Sequence, residues 1–167
     1  MSSTWGEVKG GPLIAGYCIP IRHQKQHHEN ACWATCLAMI FQWSDVSVPK
    51  EKIFTEAKDI LQDYDYGQVA TLAEANKVAK KLSDGKISFE QIDIDVVRKK
   101  DSFYWIAYIN LFKPILFSMD NHCRILMGYN GSGQLLIMDP AKDSKDEPEP
   151  IGIRVFSEKA KDVWVMK

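Results

Sequence analysis

Between Cys32 and Trp43 the apolar residues Cys32, Trp33, Cys36, Leu37, Met39, Ile40, Phe41 and Trp43 cover nearly the whole circumference of a helix, with only Thr35 and Gln42 interrupting. A helix apolar on every side is stable only when other elements surround it, so this stretch predicts a central, buried rod. The segment before it is polar, and Asn30 or Glu29 is expected to cap the rod by accepting from its orphan N–H donors. Within Gln26–Leu37, Cys32 therefore marks the point where a polar loop becomes buried helix. In a first turn, unpaired backbone N–H groups and the positive end of the helix dipole favour a thiolate over a thiol.

Two amphipathic helices are expected next. Lys50–Leu61 follows Pro49 with Ile53, Phe54, Ala57, Ile60 and Leu61 on one stripe, and Thr71–Leu82 opens with the capping-box pattern Thr71-x-x-Glu74 and stops by Gly85. A further helix spans Ser102–Leu111 before Pro114. Beyond that proline the pattern turns to strands: Ile115–Met119, His122–Tyr129, Leu135–Met138 and Ile151–Phe156, with a short strand also expected within Leu13–Ile21. Helices first and antiparallel strands afterwards is the α+β pattern, here an N-terminal helical half packed on a C-terminal antiparallel sheet. Residues 1–12 read as a flexible lead-in and 13–167 as one domain, since 167 residues with 46% hydrophobic content bury a core without staples. Lys142–Glu149 reads as a solvated surface loop.

Charge narrows the partners. A formal charge of −1 gives no electrostatic reason to expect nucleic acid or an anionic membrane as partner. Neither a spanning apolar run nor a basic-then-apolar leader is visible, so the expected setting is cytoplasmic, or a target cell reached without a classical signal peptide. Cys18, Cys32, Cys36 and Cys123 are too scattered for a disulfide scaffold and read as reduced thiols.

A thiolate needs a base, and the base an orienting acceptor. His23, His27 and His28 fall on a polar stretch and read as solvated loop residues. His122 is the remaining histidine, at a strand start just after the Asp120-Asn121 turn, where its ring faces a cleft. A hairpin from Met119 to Asp139 turning at Asn130–Gly133 would bring Asp139 back beside His122, making a Cys32, His122, Asp139 constellation. Asp120 or Asn121 would orient the histidine if the register differed. Cys32, Cys36, His122 and Cys123 make a rival zinc site, disfavoured because adjacent strand residues point to opposite faces. Trp33 and Trp43 are expected in the core.

These residues carry a resemblance. Gln26-x5-Cys32-Trp33-Ala34 looks like the glutamine and Cys-Trp-Ala segment of papain-like cysteine peptidases, and Asn121-His122 followed by Gly128-Tyr129 looks like their histidine strand. The resemblance implies a papain-like fold over about Ile19 to Val165, a cysteine peptidase hydrolysing a protein or peptide substrate without cofactor or metal, and an oxyanion hole formed by Gln26 and the Cys32 amide. Gln24 competes with Gln26 for that role. Three departures from the eukaryotic pattern stand out: Glu29 in place of a disulfide cysteine, a shorter interval from Cys32 to His122, and Asp139-Pro140 in place of an Asn-Ser-Trp segment. These are more similar to the compact bacterial branch, which includes double-glycine leader peptidases and delivered papain-like effectors. With no room before Cys32 for an inhibitory pro-domain, the expectation is a monomeric intracellular peptidase restrained by a cognate inhibitor or immunity protein, or a delivered toxin. Gly10-Gly11 is a candidate self-processing site. A glutamine deamidase or transglutaminase running on the same apparatus, and a non-catalytic binding module, are the alternatives.

Overall fold

The computed structural model describes residues 15–61, 64–65, 68–143 and 147–167. The expected lead-in, Gly10-Gly11 and the first residues of the expected Leu13–Ile21 strand lie outside the described residues; within them that strand is only β1, Tyr17–Cys18.

Helix α1, Cys32–Trp43, covers the expected apolar run but starts at Cys32 rather than near Asn30, and every residue from Cys32 to Phe41 is buried. It packs against α2 (Lys50–Ile60), α3 (Leu72–Leu82) and strand β4 (His122–Tyr129), which is why no face of it is polar. The expected cap is corrected: Ala31 is the N-cap residue, no side chain caps the helix, and the Asn30 N–H instead donates to His28 Nδ1 at 3.0 Å. Helix α3 keeps its predicted capping box, with Thr71 Oγ1 accepting from the Glu74 N–H at 3.1 Å and Glu74 Oε1 from the Thr71 N–H at 2.9 Å.

The remaining elements are β2 (Phe89–Ile92), α4 (Ile94–Lys99), α5 (Ser102–Asn110), β3 (Ile115–Met119), β5 (Leu135–Met138), β6 (Glu149–Ile151), α6 (Ile153–Lys159) and β7 (Asp162–Met166). The sheet runs β2-β7-β3-β4-β5-β6 with every neighbour antiparallel, and β1 pairs with the far end of β4. Mixed helices and antiparallel strands bear out the α+β expectation, although one unexpected strand, β2, reaches the sheet from the helix-rich half of the chain.

The expected strand Ile151–Phe156 is wrong. Its β-branched residues suit a strand, but β6 ends at Ile151 and α6 starts after Gly152. The helix places Phe156 wholly inside, its ring centroid 5.2 Å from Trp105 and 5.0 Å from Phe117, and leaves Val155 exposed. Core packing overrides local propensity there. The true last strand, β7, fills the sheet between β2 and β3 with Val163 and Val165 inward.

Two local features set up the site. Asp120 and Asn121 both hold φ 56°, a left-handed pair that Asp and Asn tolerate better than most residues, and this tight turn pairs Met119 with His122. At the other end of β4, Gly128 lies against β1: a Cβ there would stand 2.8 Å from the Tyr17 carbonyl oxygen and 3.1 Å from Cys18 Sγ. Only glycine lets the two strands approach so closely.

Candidate active site

Three elements converge where α1 begins. The helix supplies Cys32 as its first residue, buried and side by side with the start of β4, whose Cys123 N–H points at Cys32 Sγ over 3.5 Å. Strand β4 supplies His122, half-buried. The end of β5 supplies Asp139, whose carboxylate is buried.

The predicted hairpin closes as expected despite an irregularity between Leu126 and Gly128. Asp139 Oδ1 accepts from His122 Nε2 at 2.5 Å and from the Ala141 N–H at 2.9 Å. With Nε2 committed to Asp139, Nδ1 is the ring nitrogen left for Cys32, which the His122 ring also meets as a hydrogen-bonding partner. Burial disfavours the imidazolium, yet the hydrogen bonds to Asp139 and Cys32 and the charges of those same groups outweigh it and push the His122 pKa from 6.5 up to about 9. For Asp139, burial acts to raise the pKa, but the bonds from His122 and the Ala141 N–H, with the charges of His122 and Arg124, hold it down at about 2. An anionic carboxylate and a cationic imidazole are thus the favoured pair at neutral pH.

Neither Asp120 nor Asn121 is needed to orient the ring, since Asp139 already holds Nε2. The two glutamines also separate. Gln24 Nε2 donates to Gln42 Oε1 at 3.0 Å, near the opposite end of α1 from Cys32, ten residues or roughly 15 Å of helix away. Gln26 stays with the loop leading into α1: its backbone N–H donates to the Pro140 carbonyl at 2.8 Å, tying that loop to the residue after Asp139. Its side-chain Nε2 donates to the carbonyls of His28 at 3.1 Å and Glu29 at 3.3 Å, while Oε1 is buried without a partner among the described residues.

The reading of all three loop histidines as solvated needs one correction. His23 Nε2 lies 2.9 Å from the Asp139 carbonyl oxygen, so this ring is part of the shell around the site, whereas exposed His27 and His28 rest against Phe54. Arg124 was missed altogether; its Nε lies 3.5 Å from Asp139 Oδ2. The period-2 rule carried the signal, because Arg124 shares a strand face with His122.

The zinc alternative does not assemble. Among the described residues no group of three or more His, Cys, Asp or Glu side chains is arranged to hold a metal ion. Cys36 donates to the Cys123 carbonyl at 3.4 Å, and burial, then its bond with Cys123 and nearby negative charge, push its thiol well above the ordinary range. It is a neutral core thiol. Trp33 is fully buried and Trp43 packs against the core, as expected. Beside His122 opens a cleft of about 350 Å³, lined on one wall by Val69, Ala70 and Leu72 and on the other by Ser118 and Cys123.

Comparison with known proteins adds the following. A family model described as papain-like cysteine protease AvrRpt2 matches residues 14–161. A C39-like peptidase from Bacillus anthracis superposes with a TM-score of 0.61 at 18% identity, over 89% of this chain and 95% of that one. A double glycine motif protease from an AMS/PCAT transporter, solved with its leader peptide, gives 0.61 at 18% identity over 89% and 91% of the two chains. The peptidase domain of Streptococcus ComA gives 0.59 at 15% identity over 87% and 96%. No curated protein matches significantly by sequence. The structural neighbours share the fold; the family match spans nearly all of the chain, which belongs to the AvrRpt2 family of papain-like cysteine proteases.

Proposed function

We propose that the chain hydrolyses a protein substrate through Cys32 as nucleophile, His122 as the group that holds and returns its proton, and Asp139 as the acceptor that orients His122. The observation carrying this reading is the engagement of His122 from both sides, by Asp139 at 2.5 Å on Nε2 and by Cys32 on the remainder of the ring. A histidine with a pKa near 9 is an imidazolium across the neutral range, placed to stabilise a thiolate at Cys32 and to give a proton to the leaving group. The sulfur attacks the amide carbonyl, His122 gives its proton to the leaving amine, and water activated by the then-neutral imidazole releases the acyl group from the thioester.

The developing oxyanion needs donors aimed at it. The uncapped start of α1 offers the Cys32 N–H, since no side chain makes a capping hydrogen bond at that helix end. Gln26 supplies the second donor by turning its amide from the His28 and Glu29 carbonyls, exchanging two neutral bonds of 3.1 and 3.3 Å for a stronger charge-assisted one. The cleft lined by Val69, Ala70 and Leu72, and also by Lys161 and Asp162, receives a substrate side chain next to the scissile bond.

The biological reading that fits these parts is an effector or toxin of bacterial type acting on a protein of a target cell, with a cognate inhibitor as its natural restraint. The test is incubation of the purified chain with a target-cell lysate, followed by mass analysis of new protein N-termini, with Cys32→Ala as control. New termini that depend on Cys32 support peptide cleavage. Uncut substrates gaining about one mass unit would instead make the enzyme a deamidase and overturn the peptidase reading.

A further inference from the structure

Arg124 stands two residues after His122 on β4 and has no part in the chemistry above. Its side chain is largely buried, and its guanidinium meets three acceptors. Nη1 donates to the Met119 carbonyl at 2.6 Å and reaches the His122 carbonyl at 3.5 Å, while Nε pairs with Asp139 Oδ2 at 3.5 Å. Met119 ends β3 and His122 starts β4, so one planar fork spans both arms of the hairpin and the carboxylate beside it.

We propose that Arg124 is the positioning residue of this site, fixing the aim of the Asp139 carboxylate and the turn from which His122 enters. The inference rests on the Cys32–His122–Asp139 reading. A carboxylate held through one oxygen can swing about its Cβ–Cγ bond; here Oδ1 serves His122 and the Ala141 N–H, and Arg124 engages Oδ2, so the rotation is stopped from the other side. The turn needs holding as well. Asp120 and Asn121 both adopt left-handed backbone, and their flanking carbonyls at Met119 and His122 are the two that Nη1 addresses. The groups facing Asp139 are His122 and Arg124 from β4, Cys36 from α1 and His23 from the preceding loop, with Cys32 beyond the His122 ring. His23 bonds the backbone carbonyl, leaving the carboxylate to His122, Arg124 and one backbone N–H. Arg124 is the cation paired with the oxygen that His122 does not use.

The test is the rate of Cys32 alkylation by iodoacetamide across pH, read by peptide mass spectrometry on the full chain, for wild type, R124M and R124K, with thermal melts alongside. R124M is expected to slow alkylation by about 10-fold or more below neutral pH and to move the acid limb of the profile upward, because a loosened Asp139 no longer holds the imidazolium against Cys32. R124K returns the charge beside Asp139 but cannot span both hairpin carbonyls, so it restores the acid limb and only part of the rate. A merely structural role would lower the melting temperature and leave the pH profile of the folded fraction unchanged. Wild-type rate and profile in R124M overturn the proposal; should R124M not fold, a wild-type rate in R124K overturns it. If wild-type Cys32 reacts no faster than Cys18 or Cys36, the Cys32–His122 pair itself fails and takes the proposal with it.

Discussion

The two sides of the active-site groove are held in place by different forces. On the helix side, Cys32 is positioned by volume: Trp33, Leu37, Ile40 and Phe41 are completely buried, and no polar side chain caps the helix end that carries the sulfur. On the sheet side, His122 and Asp139 are positioned by polar contacts, with a 2.5 Å bond between them, an N–H from Ala141, the Arg124 ion pair and the His23 contact to the Asp139 backbone. The difference follows from what each residue must do. On the proposed reading, a nucleophile has to be held at a fixed place, while a base has to be tuned, and tuning needs charges at short range. Packing therefore dominates one wall, where the Cys123 N–H reaches the sulfur at 3.5 Å, and cannot suffice for the other.

That contrast is sharpest at Asp139. Asp139→Ala is expected to lower kcat by on the order of 10²- to 10⁴-fold, far beyond what its loss of melting temperature accounts for, and Asp139→Asn to retain more activity than the alanine variant, because an amide oxygen still accepts from Nε2. Steady-state kinetics beside thermal melts check both. Leu37→Ala should do the reverse. Removing a fully buried side chain from the centre of α1 costs about 2–5 kcal/mol of stability, measurable by denaturant titration, and leaves the pH profile of the surviving folded enzyme intact. A comparable loss of kcat in both variants would erase the distinction between the walls.

The smallest effect is on stability against pH, and its sign differs for the two polar partners. His122 has a folded pKa of about 9 against 6.5 unfolded, so its contribution is complete below 6.5 and is lost as pH rises through 9. Asp139 has a folded pKa of about 2 against 3.8, so its contribution is complete above 3.8 and is lost as pH falls through 2. Melting temperature should be highest between those inner limits. Asp139→Ala should flatten both shoulders, whereas Leu37→Ala should shift the whole curve downward without changing its shape.

The same contrast explains what could be read from the residues in order. The packed wall was legible: an all-apolar run has one fate, and α1 covers the apolar run Cys32–Trp43, starting slightly later than the caps expected at Asn30 or Glu29 imply. The hairpin that joins His122 to Asp139 was legible too, because Asp120-Asn121 and Asn130–Gly133 are turn sequences separated by runs of strand character. The shell around the charges was not. His23 reaches Asp139 across 116 positions of sequence and leaves no local trace, while Arg124 owes its place to a strand face shared with His122, a signal that period-2 spacing carries only once the strand is in place. The helix α6 was misread because Ile153, Val155 and Phe156 look like strand residues until Trp105 and Phe117 provide a pocket for one ring. Strand β7 carries alternation, with Val163 and Val165 inward and Trp164 between them, yet it is absent from the expected strands, as is its place in the middle of the sheet.

The central claim is that Cys32 and His122 share one proton across the groove, and a nuclear magnetic resonance titration of the His122 ring protons, in the wild type and in Cys32→Ala, tests it directly. The account predicts an imidazole that stays protonated to about pH 9 in the wild type and a clearly lower pKa once the sulfur is gone, with Asp139 still bonded to Nε2. A His122 that titrates near its ordinary 6.5 in the wild type, and does so unchanged without Cys32, would contradict it.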